Sequence, residues 1–177
     1  ENIGVDGWNL VAVGCGYCYA PLIDSVRGAN AFRPTTGGHG VVAKATTVRN
    51  ALITRCRAFN ARHVVDWNYS VDSQSQYCES EQSDVSNTIF GYLTHGIASY
   101  RIRSVNDTAI NGNGWAVGNT SFAGDYDVDI TGFNWSSSGT IVGQGIVVWC
   151  KSDGVRINNC RLVGNSSLQY SRGAKNL

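Results

Sequence analysis

Apolar residues recur along the chain in one phrase: apolar, any, apolar, any, any, apolar, any, then small or apolar. It reads as Ile3, Val5, Trp8 and Leu10 in "IGVDGWNL", and as Pro21, Ile23, Val26 and Gly28 in "PLIDSVRG". It returns as Ala51, Ile53, Cys56 and Ala58, then as Tyr100, Ile102 and Val105. The last copies are Val128, Ile130, Phe133 and Trp135, then Val155, Ile157, Cys160 and Leu162. A polar copy, "SQSQYCES", places Cys78 in the anchor slot. The period of two predicts short strands, and the break in phase predicts a bend within each phrase. No stretch shows the 3.6-residue period of an amphipathic helix.

The anchors Trp8, Val26, Cys56, Cys78, Val105, Phe133 and Cys160 are 18, 30, 22, 27, 28 and 27 residues apart. Constant strands with variable loops give that spacing. A second apolar burst lies between anchors, in "GVVAK", "HVVDW", "NTIFG", "GWAVG" and "GIVVW". Two or three short strands per coil, stacked in register about 4.8 Å apart, predict an all-β parallel β-helix of about seven coils. The solenoid is expected over 1–164, with a polar C-terminal tail over 165–177. Glu1 opens directly into a strand phrase, so the expectation is a fragment of a longer chain, or a chain whose ends are covered by partners.

Composition narrows the partners. The 177 residues carry a formal charge of +1 with 15% charged residues, which gives no basic stripe for nucleic acid. No apolar run approaches the roughly 18 residues of a membrane span, so no membrane insertion is expected. The 21 glycines and abundant Asn, Ser and Thr suit many turns. Cys56, Cys78 and Cys160 read as small hydrophobes in anchor slots. Cys15 and Cys18, in "GCGYCY", read first as structural thiols, with a disulfide as the alternative. No second cysteine pair or zinc-spaced histidine follows them, and no cofactor or metal is expected.

The coil words "DGVRINNCRLVGN" and "NALITRCRAFNA" resemble the right-handed parallel β-helix of the pectate-lyase superfamily. "RHVVDWNYSVDSQSQYCES", followed by "FGYLTHGIASYRI", is similar to β-helical bacteriophage tailspike and appendage proteins. That resemblance implies a homotrimer in the virion tail, assembled in the host cytoplasm, that binds and sometimes cleaves bacterial surface polysaccharide. It carries over no catalytic residue, and no arginine stands in the position that pectate lyases use. A secreted monomeric polysaccharide lyase, hydrolase or epimerase is the first alternative, and a non-catalytic adhesin or structural shaft the second.

Two clusters offer chemistry. In "GDYDVDITG", Asp125, Asp127 and Asp129 alternate and are expected on one outer face, the last two roughly 6.6 Å apart. Asp129 would then stack between Arg101 and Arg156 as a structural charge ladder, ahead of a glycosidase pair or a calcium site. The second cluster gathers Arg62, His63, Asp66, Trp67, Tyr77, Glu79, Glu81 and His95 within about one and a half coils. There the serines of "SQSQYCES" replace core aliphatics, a break in the pattern expected more often at functional sites. As a hydrolase, Asp66, Glu79 and Glu81 would supply acid and base or nucleophile. As a lyase, His63, His95 or Tyr77 would abstract the proton. Arg62, Trp67 and Tyr77 would hold the sugar. The plain alternative for each histidine is a bond to a turn backbone.

Overall fold

From Pro21 onward, each apolar phrase folds as two short strands hinged at one residue in the left-handed region. A computed structural model describes residues 3–6, 11–30, 41–82, 90–95, 99–118, 125–138, 144–148, 152–164 and 168–170. The strands β1 (Ile3–Asp6), β2 (Val11–Gly16) and β3 (Leu22–Asp24) make one coil. The next are β4 (Val26–Ala29), β5 (Val41–Thr46) and β6 (Leu52–Thr54), then β7 (Arg57–Phe59), β8 (His63–Asn68) and β9 (Val71–Gln76). The chain continues through β10 (Glu79–Glu81), β11 (Phe90–His95) and β12 (Tyr100–Val105). Then come β13 (Thr108–Ile110), β14 (Asn113–Val117) and β15 (Asp129–Thr131). It ends with β16 (Asn134–Ser136), β17 (Ile146–Val148), β18 (Arg156–Asn158), β19 (Arg161–Val163) and β20 (Leu168–Tyr170).

Every third strand pairs in parallel, so the chain winds through three sheets in fixed rotation. Sheet A runs β1-β4-β7-β10-β13-β16-β19, sheet B runs β2-β5-β8-β11-β14-β17-β20, and sheet C runs β3-β6-β9-β12-β15-β18. This is the expected all-β parallel solenoid. Pairing of β20 with β17 carries sheet B into the segment expected as a polar tail.

The hinge between sheets C and A is Ser25, Arg55, Tyr77, Asn106, Gly132 or Asn159, with φ from 52° to 68°. A left-handed residue costs a non-glycine roughly 1–2 kcal/mol. The stack offsets that cost, because the hinge N–H bonds to the coil above: Ser25 to Thr54 O (3.0 Å), Arg55 to Gln76 O (3.1 Å), Asn106 to Thr131 O (2.9 Å). The bend thus leaves no backbone donor unsatisfied at these positions.

Register corrects two anchors. Ile3 stands opposite Val26, and Trp8 lies outside the described residues. Asp107, not Val105, follows the hinge Asn106 and occupies the slot between Cys78 and Phe133, because Val105 pairs with Gln76 and Thr131 instead. The inward ladder of sheet C is Ile23, Ile53, Ser75, Ser104, Ile130 and Ile157. Sheet A supplies small side chains, Gly28, Ala58, Ser80 and Ala109, until Trp135. The facing bulk comes from Trp67, Tyr92 and Trp115 of sheet B, with Tyr92 stacked on Trp115 at 5.4 Å and edge-on to Phe133 at 5.7 Å. At Gly114 there is no space for a side chain, since a Cβ would run into the Gly145 carbonyl and reach 2.8 Å from the Phe133 ring. Cys15 and Cys18 form a disulfide, the alternative rather than the first reading. Cys56 and Cys78 are free, buried thiols in the anchor slot, as expected.

Candidate functional site

The stretch around His63 is built by a local bend. Val64 and Val65 both belong to the core, so the residues on either side, His63 and Asp66, turn away from it. On the neighbouring strand Phe90 and Leu93, three apart in the same way, form a separate cluster with Ala116 and Val147. This outer face of sheet B is covered: His63 is 4% exposed and Asp66 1%. His63 Nδ1 lies 2.5 Å from the Phe90 carbonyl oxygen, a backbone contact of the plain structural kind. Asp66 Oδ2 lies 3.3 Å from Lys44 Nζ, from the adjacent strand β5. Arg62, beside them, is half-buried. Trp67 points the other way, into the core, and is wholly buried, so it offers no face to a sugar.

The other candidates leave in other directions. Glu79 and Glu81 flank the buried Ser80 on the outer face of sheet A, in register with Arg57 and Phe59. Tyr77 is the exposed hinge before that strand. His95 ends β11 opposite Asn68; its side chain lies outside the described residues. The two glutamates and Asp66 therefore stand on different sheets, and the expected catalytic set does not converge on one surface among the described side chains.

The serines of "SQSQYCES" serve the interior instead. Asp107, fully buried, accepts hydrogen bonds at Oδ2 from Ser75 Oγ (2.6 Å) and Ser104 Oγ (2.7 Å). Its Oδ1 accepts the Cys78 N–H at 2.9 Å. Trp115 Nε1 donates to Ser104 Oγ at 3.0 Å, and Tyr92 Oη donates to the Cys78 carbonyl at 2.6 Å. Burial raises the Asp107 carboxyl to about 6 against the pull of its three donors. Burial likewise lifts the Tyr92 phenol well above its ordinary range. Hydropathy hid Asp107, but inward serines in two adjacent coils were its signal.

The acidic triplet is split by a left-handed residue. Asp127 has φ 54°, which breaks the alternation. Asp125 is consequently buried, bound by Thr94 Oγ1 (2.5 Å) and the Ser99 N–H (2.7 Å), rather than sharing an outer face with Asp127 and Asp129. Asp129 is in register with Arg103, not Arg101, on one side and with Arg156 on the other.

These side chains line an open groove of about 560 Å³ on the outer face of sheet C. Its walls are Asn50, Asp72, Gln74, Arg101, Arg103, Asp127, Asp129 and Arg156. Arg156 grips Asp129 with two bonds, Nε to Oδ1 at 2.5 Å and Nη2 to Oδ2 at 2.9 Å. Arg101 grips Asp72 through Nε and through Nη2 at 2.9 Å, which holds the Asp72 carboxyl below the usual carboxylate range. At its lip, one residue before Arg101 and Asp127, stand Tyr100 and Tyr126, stacked at 5.2 Å and 12° and 41% and 36% exposed. Further along the same corner, Tyr19 is 74% exposed and its hydroxyl accepts Asn50 Nδ2 at 3.0 Å. Polar rungs thus repeat at the strand spacing beside an aromatic edge. No protein-family model and no curated protein matches the chain.

Proposed function

We propose that the chain is a binding module for bacterial surface polysaccharide, with the glycan lying in the sheet C groove. The observation that carries this reading is the groove's composition. Fork-bonded Arg–Asp pairs and amides line it and supply fixed donors and acceptors for vicinal hydroxyls, and the partly exposed rings of Tyr100 and Tyr126, each one residue from a lining residue, supply apolar area for sugar rings. The rungs repeat about every 4.8 Å, close to the length of one sugar ring, so a linear glycan meets similar chemistry at successive coils. The resemblance to phage tailspikes points the same way, and on this reading the chain works as a homotrimer in a virion tail. Binding is favoured over cleavage because the two neighbouring carboxylates in the groove, Asp127 and Asp129, both face Arg156, while Glu79 and Glu81 stand on sheet A, away from it.

The test is retention of the native oligomer by a panel of capsular and O-antigen polysaccharides in affinity electrophoresis, with new reducing ends measured in parallel. Retention that falls at least about tenfold in a Tyr100→Ala/Tyr126→Ala double variant supports the reading, since aromatic contacts of this size contribute about 0.5–1.5 kcal/mol each beyond area. Retention unchanged by that variant, or no retention by any glycan, overturns it. Release of reducing ends abolished by Glu79→Gln would instead favour a hydrolase on sheet A.

A further inference from the structure

Among the described residues that line the groove, one arginine is not held in a fork with an acid. Arg101 is committed to Asp72 and Arg156 to Asp129, each through a two-bond fork. Asp127 also leans on Arg156, 3.9 Å from its Nη1. Arg103 stands between these pairs, exposed, in the ladder Gln74–Arg103–Asp129–Arg156. Its neighbouring acids are bonded to other guanidiniums, and Arg103 is bonded to neither among the described residues. The next amide, Gln74, is itself turned aside, its Nε2 donating to Gln76 Oε1 at 2.8 Å.

We infer that the groove selects a carboxylate-bearing glycan, such as a polymer containing uronic or other acidic sugars, and that Arg103 reads the carboxylate. This rests on the glycan reading above and adds its chemical class. A guanidinium presents parallel N–H donors matched to a carboxylate, and such bidentate contacts are among the stronger hydrogen bonds in water-accessible sites. The acids that line the groove do not oppose an anion strongly, because three aspartates face three arginines and their charges cancel. The two closed forks hold the walls in place before any ligand arrives, so little ordering is needed on binding. Tyr100 and Arg103 lie three residues apart across the left-handed bend at Arg101, so they are closer than the about 10 Å of a fully extended path. One sugar can therefore stack at the tyrosine pair while a nearby sugar of the same chain places its carboxylate on Arg103.

The experiment pairs each acidic capsular polysaccharide of the panel with its carboxyl-reduced form and measures affinity by calorimetry. The acidic form is expected to bind about tenfold tighter, the scale of one charge-assisted bond. Arg103→Ala should lower affinity for the acidic form far more than for the reduced form, so that the ratio falls to about one, and Arg103→Lys should restore the ratio only in part. Tyr100→Ala should weaken both forms alike. Arg103 is exposed, so its variants are expected to fold, and circular dichroism checks this. Equal binding of both forms by the wild type, a ratio that survives Arg103→Ala, or preference for a phosphorylated neutral-sugar glycan overturns the inference alone. No binding to either form across the panel overturns the glycan reading with it.

Discussion

Asp107 makes the solenoid's stability depend on pH in an unusual direction. Most acids in folded proteins sit below their ordinary values and stabilise as pH rises. Asp107 is fully buried, and its carboxyl is raised from 3.8 to about 6, so the folded chain holds the proton more tightly than the unfolded chain. The stability tied to that proton is complete below about pH 3.8, is lost as pH rises through about 6, and stays lost above. Over that interval, at about 1.4 kcal/mol per decade of proton affinity, the loss amounts to about 3 kcal/mol. Asp107→Asn removes the titration but keeps an oxygen for the Cys78 N–H, and the hydroxyls of Ser75 and Ser104 can rotate to accept from the amide. Urea unfolding of both proteins from pH 4 to pH 8 is the assay. Subtracting the two curves cancels the other acids, including Asp24 and Asp72, whose lowered carboxyls act in the opposite sense at more acid pH. The wild type should lose about 2–3 kcal/mol relative to the variant between pH 4 and pH 8. A difference that stays constant across this range would refute the reasoning, because it would mean that Asp107 does not change protonation there.

Gly114→Ala should cost about 3 kcal/mol or more in a thermal melt, since the new methyl meets a backbone carbonyl and a buried ring that cannot both move; an unchanged melting temperature would show that the A–B corner is looser than described. Tyr92→Phe should cost about 1 kcal/mol in urea unfolding, because the hydroxyl's bonds to the Cys78 and Thr108 carbonyls are lost while the Thr108 N–H keeps its 2.9 Å bond to the Cys78 carbonyl. Reduction of the Cys15–Cys18 disulfide, or Cys15→Ser/Cys18→Ser, should cost only about 2 kcal/mol, because the closed loop is very short and little chain entropy is at stake. A larger loss would mean that the first coils depend on that bond for their packing.

The coil was legible in the sequence because a solenoid repeats one inward slot many times, and an error at one copy is outvoted by the others. Ile23, Ile53, Ile130 and Ile157 marked sheet C correctly, and the second bursts marked sheet B. What failed was phase. Val105 looks like an anchor because it is apolar, yet the hinge at Asn106 places Asp107 inward. The same kind of hinge at Asp127 turned three alternating aspartates into one buried and two outward residues. At Val64–Val65 two successive inward residues put His63 and Asp66 on one face, where strict strand alternation would put them on opposite faces. Non-glycine residues in the left-handed region carry no reliable sequence mark, so side-chain direction after each hinge was out of reach, and with it the groove. Individual functional residues depend on that direction far more than the fold does.

The polar core and the groove are two sides of the same strands. Ser75 lies between Gln74 and Gln76, and Ser104 between Arg103 and Val105, so the residues that clamp Asp107 alternate with those that face the groove. The outer ladder changes at the same place: Leu22 and Leu52 give way to Gln74, Arg103, Asp129 and Arg156. An aliphatic core residue would fill the Asp107 slot with less desolvation cost. What the carboxylate adds is direction, since three hydrogen bonds tie β9, β12 and the Cys78 backbone to one point. A groove whose rungs must keep register across coils gains from such a tie, because the strand carrying Arg103 cannot slide or twist without breaking it. A buried carboxylate that burial penalises therefore stands behind the face assigned to the ligand, which is where a rigid scaffold has most to contribute.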